Sequence, residues 1–178
     1  VDAVERKVIY QGRRITLVND TLTHPSGASY SRVIVQHPGA VVILPLVDDD
    51  HVCLVRQWRH AVQETLLELP AGTLEPPEDP LTTAQRELAE ETGYTAADWT
   101  ALLTFYPSPG LLTERMFLFA ARQLSPGIAR PELDENLEPV IVSLNEALEL
   151  VDCGQIMDAK TLVGLLWWER RGRRATKA

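Results

Sequence analysis

The stretch from Gly72 to Tyr94, GTLEPPEDPLTTAQRELAEETGY, limits what this chain can become more than any other. Leu69-Pro70-Ala71-Gly72 breaks an apolar run, so a strand ends and a loop begins there. Asp79 followed by Pro80 is a helix start: the Asp side chain accepts from orphan amides, and Pro loses nothing at the first helical position. Gly93 supplies the stop. Between them Leu81, Ala84 and Leu88 recur at helical spacing and predict a buried stripe. Glu87 and Glu91 stand four apart, with Glu90 three from Glu87, so one side of the helix presents three carboxylates together.

Such convergence is unfavourable unless something opposes it. Two carboxylates about 6 Å apart repel by about 3 kcal/mol at an effective dielectric of about 20. Arg86 can offset one of them, whereas a hard divalent cation, Mg²⁺ or Mn²⁺, offsets all three. The plain alternative is a solvated acidic helix with Arg86 and Glu90 as an ordinary i,i+4 pair.

The complete spacing separates these readings. Gly72, five residues, Glu78, seven residues, Arg86-Glu87-Leu88, one residue, Glu90-Glu91, one residue and Gly93-Tyr94 resembles the Nudix box at each constrained position, with Tyr94 the one mild departure from an aliphatic residue. That family hydrolyses a nucleoside diphosphate linked to another moiety. The resemblance implies Glu87, Glu90 and Glu91 as metal ligands with the backbone carbonyl of Ala71, and two or more ions. It implies Arg86 as the residue that fixes the carboxylates, and Gly72, Glu78 and Glu68 as support.

Two further segments resemble the ADP-ribose pyrophosphatase branch. Arg56-Gln57-Trp58-Arg59 ends a strand with two guanidiniums, which fork onto phosphate oxygens, and an indole, which can stack on a base. The resemblance gives Arg59 a substrate phosphate, with Arg56 and Trp58 beside it. Ser108-Pro109-Gly110 with Glu114, the proline fifteen residues past the box, resembles the branch's substrate loop. Two prolines around a serine also make a stiff segment suited to a preformed pocket wall. The acidic run Glu132 to Glu138 is a solvated loop on composition; the resemblance makes Glu135 a general base or a further metal ligand, with Glu138 second.

The remainder frames these segments. Residues 1–38 alternate as a three-stranded antiparallel meander, too small to stand alone, that must dock on the main domain or on a second copy. Arg13 and Arg14 there read as a solvated strand edge, or as a phosphate patch. Pro38-Gly39 marks the boundary of a domain spanning 39–170, followed by a basic tail, 171–178. The fold expected is α+β, a Nudix-type α/β/α sandwich with a mixed sheet; the meander resembles the dimerising extension of the branch, implying a homodimer. A net charge of −8 argues against a general nucleic-acid surface. Two cysteines form no disulfide framework, and no apolar run approaches membrane length, so a cytoplasmic protein without nucleic-acid or membrane partners is expected. The reaction implied is ADP-ribose plus water giving AMP and ribose 5-phosphate. Another Nudix substrate, an ADP-sugar, GDP-mannose or a dinucleotide, is the first alternative. A non-catalytic nucleotide-binding module is the second; some such domains lose a box glutamate, and none is missing here.

Overall fold

The structure is a computed structural model and describes residues 2–130 and 136–175. Ten strands and three helices are found among the described residues, in the order β1 (Asp2–Gln11), β2 (Thr16–Thr23), β3 (Ser29–Gln36), β4 (Ala40–Pro45), β5 (His51–Arg59), β6 (Glu64–Glu68), β7 (Ala71–Thr73), α1 (Pro80–Thr92), β8 (Thr95–Phe105), β9 (Met116–Ser125), β10 (Leu137–Ser143), α2 (Leu144–Asp152) and α3 (Ala159–Ala175). The strands form three sheets: β1-β2-β3, β10-β5-β6 and β7-β4-β9-β8.

Strand β4 shows why the middle of the molecule holds together. All six of its residues are buried, as a continuous apolar run covered on both faces requires. Val41 and Ile43 turn towards α1, where they meet Ala84, Leu88 and Phe119. Val42 and Leu44 turn the other way, joining Leu54, Leu69, Val142 and Leu165 in the larger core. β4 pairs parallel with β9 and antiparallel with β7, and β8 pairs antiparallel with β9. The sheet is therefore mixed and lies between helices, the expected α+β architecture.

The meander docks on its own chain. Val35 donates to the Leu111 carbonyl and accepts from Thr113 N–H, at 2.9 and 3.0 Å, so the end of β3 continues onto the segment before β9. Its outer surface still exposes Val8, Ile9, Tyr10, Tyr30 and Val33.

Several element ends differ from the sequence reading. β8 begins at Thr95 and β9 continues through Ser125; the outer ends of that hairpin are largely exposed, so no apolar signal marks them in the sequence. The tail expected from 171 starts inside α3, which runs to Ala175. Arg171 lies over the Trp167 ring at 5.8 Å, a cation–π contact that suits helix continuation.

Candidate active site

Helix α1 forms as its local signals dictate. The Asp79 carboxylate accepts from Leu81 and Thr82 N–H at 3.0 and 3.2 Å, Pro80 opens the helix, and Gly93 closes it in the left-handed conformation, φ 74°, donating to the Ala89 carbonyl. The buried stripe differs in one member. Leu81 is 37% exposed, and the stripe runs through Thr83, Ala84, Glu87, Leu88, Glu91 and Thr92 instead. Two carboxylates thus sit on the face that packs against the sheet: Glu87 is 8% exposed and Glu91 3%.

Their placement depends on β7. The Glu91 carboxylate accepts from Ala71 N–H at 3.0 Å. Glu87 lies directly against Gly72, where an added Cβ would stand 1.9 Å from its Cδ. The box glycine is therefore a space requirement: any side chain at 72 evicts the carboxylate. Arg86 completes the cluster, donating from one terminal nitrogen to Glu87 Oε1 (2.8 Å) and Glu90 Oε2 (2.9 Å), and from the other to Glu78 Oε2 (3.3 Å). Burial opposes the charge on Arg86, but these three carboxylates outweigh it and raise its pKa. Glu78 also accepts from the Thr83 hydroxyl at 3.0 Å.

Ala71, Gly72, Glu87 and Glu91 line a cavity of about 650 Å³ together with Arg59, Gln57, Glu75, Pro107, Glu114 and Lys160. The structure brings Glu87 and Glu91 to this cavity and turns the more exposed Glu90 towards Arg86. Among the described residues no three acidic, His or Cys side chains are already drawn into a cage. The donors that reach the cavity are hard carboxylate oxygens, buried and fixed in place, which suits a divalent cation.

Beneath the cavity lies a second charged group. Arg59 forks onto Glu68 at 2.7 and 2.6 Å, and Lys160 also donates to Glu68 and, at 3.0 Å, to Asp158. Burial opposes ionisation of Glu68, yet the Arg59 hydrogen bonds and the Lys160 charge prevail and hold its carboxyl below the ordinary range. A carboxylate buried at the end of an apolar strand needs a partner, and the structure supplies two. Lys160 was missed, because its only local hint is Asp158, two residues before it.

Other expected residues fall elsewhere. β5 alternates, so Gln57 and Arg59 reach the cavity while Arg56 and Trp58 point from the opposite face, away from its lining. Arg56 instead pairs with Glu138 of β10 at 2.7 Å, and Trp58 is exposed. In the loop after β8, Pro107 and Glu114 line the cavity, whereas Ser108, Pro109 and Gly110 do not. The Ser108 carbonyl accepts from Leu111 and Leu112 N–H, which sets the turn that brings Glu114 round. Glu114 lies 3.6 Å from His37 Nδ1. Arg13 and Arg14, read first as a solvated strand edge, line the cavity mouth. Glu135 lies outside the described residues.

A family model described as the NUDIX domain matches residues 36–161. The chain belongs to the Nudix family. It is 41% identical over 160 residues to the ADP-ribose pyrophosphatase of Bacillus subtilis (strain 168), covering 89% of this chain and 86% of the relative. It is also 35% identical over 164 residues to the methanol dehydrogenase activator of Bacillus methanolicus, covering 91% and 89%. The crystal structure of an ADP compounds hydrolase superposes with a TM-score of 0.86 over 99% of this chain and 96% of that one; at 22% identity this likeness concerns the fold. Nudix hydrolases generally use divalent metal ions, and the buried oxygen donors of α1 stand where this Nudix chain has its box.

Proposed function

We propose that this protein hydrolyses the diphosphate bond of ADP-ribose to AMP and ribose 5-phosphate, using Mg²⁺ or Mn²⁺. The observation that carries the reading is the pair of buried carboxylates, Glu87 and Glu91, facing a cavity that also holds Arg59. The resemblance to the B. subtilis ADP-ribose pyrophosphatase supports the choice of substrate.

Glu87, Glu91 and the Ala71 carbonyl would hold the cation, with Glu90 assisting. The chemistry that a bound divalent cation supplies at such a site is neutralisation of diphosphate oxygens and acidification of a water. The chain's own residues do the rest. Gly72 gives Glu87 its room, and Arg86 orients the carboxylates without reaching the cavity. Arg59 commits Nε and one terminal nitrogen to Glu68, which fixes the plane of the guanidinium and leaves its other terminal nitrogen for a phosphate oxygen. Glu114 and the loop behind it would meet the sugar side, and Glu135 would take the proton.

We read the protein as a cytoplasmic homodimer. The exposed apolar residues of the meander support the dimer, and the two free cysteines, Cys53 and Cys153, accord with a reducing compartment. Among the described residues no helix is long and apolar enough to cross a membrane.

The test is product identification with Mg²⁺ and a panel of ADP-ribose, ADP-glucose, GDP-mannose, NADH and 8-oxo-dGTP. AMP formed from ADP-ribose in preference to the others supports the reading; turnover of the nucleoside triphosphate alone would overturn it.

A further inference from the structure

Beneath the cavity Arg59 and Lys160 supply two positive charges, and Glu68 and Asp158 two negative. Arg59, Asp158 and Lys160 reach the cavity lining, whereas Glu68, 1% exposed, does not. The fork from Arg59 already gives Glu68 a full counter-charge. What Lys160 adds is a second positive charge, and it makes the group neutral. Without that charge Arg59 alone would face two carboxylates, leaving a net negative group beside a cavity that Glu75, Glu87, Glu91 and Glu114 also line. Arg59 lies in this field: the Glu68 hydrogen bonds do most to raise its pKa, and the charges of Asp158 and Glu91 add to them. Burial keeps such interactions strong, since little water screens them.

The chain fastens Lys160 in this position. Asp158 Oδ2 accepts from the Lys160 ammonium at 3.0 Å, from Thr161 N–H at 3.0 Å and from the Thr161 hydroxyl at 2.6 Å. Thr161 Oγ1 in turn accepts from Leu69 N–H at 2.8 Å. The start of α3 is thus tied to the residue that follows Glu68, which holds Lys160 in register with that carboxylate.

We propose that Lys160 is a positioning residue for the substrate: it offsets the second carboxylate of the group, so that the Arg59 guanidinium directs its charge to a diphosphate instead of sharing it with Asp158. Lys160 acts through Arg59 and its carboxylate partners. This rests on the reading of the cavity as a nucleoside diphosphate site.

The test measures ADP binding by calorimetry with Mg²⁺, together with KM and kcat for ADP-ribose, in the wild type, Lys160→Met, Asp158→Asn, the double variant and Asp49→Asn. The amide oxygen of Asn can still accept the bonds now made to Oδ2, so Asp158→Asn removes charge and keeps the start of α3 capped. Asp49→Asn makes the same charge change in the exposed turn between β4 and β5. That turn joins the strand ends opposite to Ala40, Gln57 and Arg59, which line the cavity. Lys160→Met should weaken ADP binding about tenfold and raise KM more than it lowers kcat. Asp158→Asn should tighten ADP binding about threefold, the double variant should return to the wild-type affinity, and Asp49→Asn should match the wild type. A merely structural Lys160 predicts no gain in Asp158→Asn and no rescue in the double variant, and either result would overturn the proposal. So would an equal gain in Asp49→Asn. If Lys160→Met fails to fold, the affinity of Asp158→Asn decides alone. Wild-type protein that binds ADP and leaves ADP-ribose intact would overturn the hydrolase reading only, and the ADP affinities would still decide the role of Lys160. Wild-type protein that fails to bind ADP would overturn both.

Discussion

Gly72 and Glu87 occupy adjoining space so tightly that a single methyl group at 72 would stand 1.9 Å from the Glu87 carboxyl carbon. The clash is with the end of a flexible side chain, so the fold can yield by moving that carboxylate. Gly72→Ala should therefore leave a folded protein with a displaced ligand. We expect Mn²⁺ affinity, read by titration, to fall about 10- to 100-fold, the range seen when a metal ligand's support is lost, with thermal stability close to wild type. An unchanged affinity would show that Glu87 does not need the space.

Glu68 should leave a signature in stability against pH. Its folded pKa is lowered, so its stabilising contribution is fully present above the ordinary Glu value of about 4.3 and is lost as pH falls through the lowered folded value. Glu68→Gln removes that contribution. At pH 7 it should cost about 3–5 kcal/mol, because Lys160, 6% exposed, is left without its main counter-charge. Urea unfolding across pH 3 to 7 should show wild-type stability dropping more steeply than the variant's below about pH 4.3. Parallel curves would contradict this.

The meander's exposed apolar residues predict self-association. Wild-type protein should elute at twice the chain mass by light scattering, and Ile9→Asp with Tyr10→Asp should shift it towards the monomer, both residues being more than half exposed in the single chain. A monomeric wild type at micromolar concentration would refute the dimer.

Local signals made α1 readable from the sequence: Asp79, Pro80 and Gly93 act on neighbouring backbone groups, and each takes the role its chemistry predicts. β4 was readable as an unbroken apolar run. The contacts beneath the cavity were not, because Lys160 and Glu68 are 92 positions apart and meet only when α3 packs below β6. Arg13 and Arg14 reach the cleft through tertiary docking of the meander, which two-residue periodicity within a strand cannot reveal. The division of β5 was available in principle. Strict alternation puts Arg56 and Trp58 on one face and Gln57 and Arg59 on the other, a signal that grouping the four residues as one motif obscured.

The central claim is that the buried face of α1 holds the catalytic cation for ADP-ribose hydrolysis. It is tested most directly by the rate of AMP formation from ADP-ribose with saturating Mg²⁺ in the wild type, Glu87→Gln and Glu91→Gln, each checked for an unchanged melting profile. Replacing a carboxylate by an amide keeps shape and removes a charged oxygen donor, so kcat should fall by about 100-fold or more in both variants, in the range of several kcal/mol that a catalytic metal supplies. Near-normal rates in both folded variants would contradict the account.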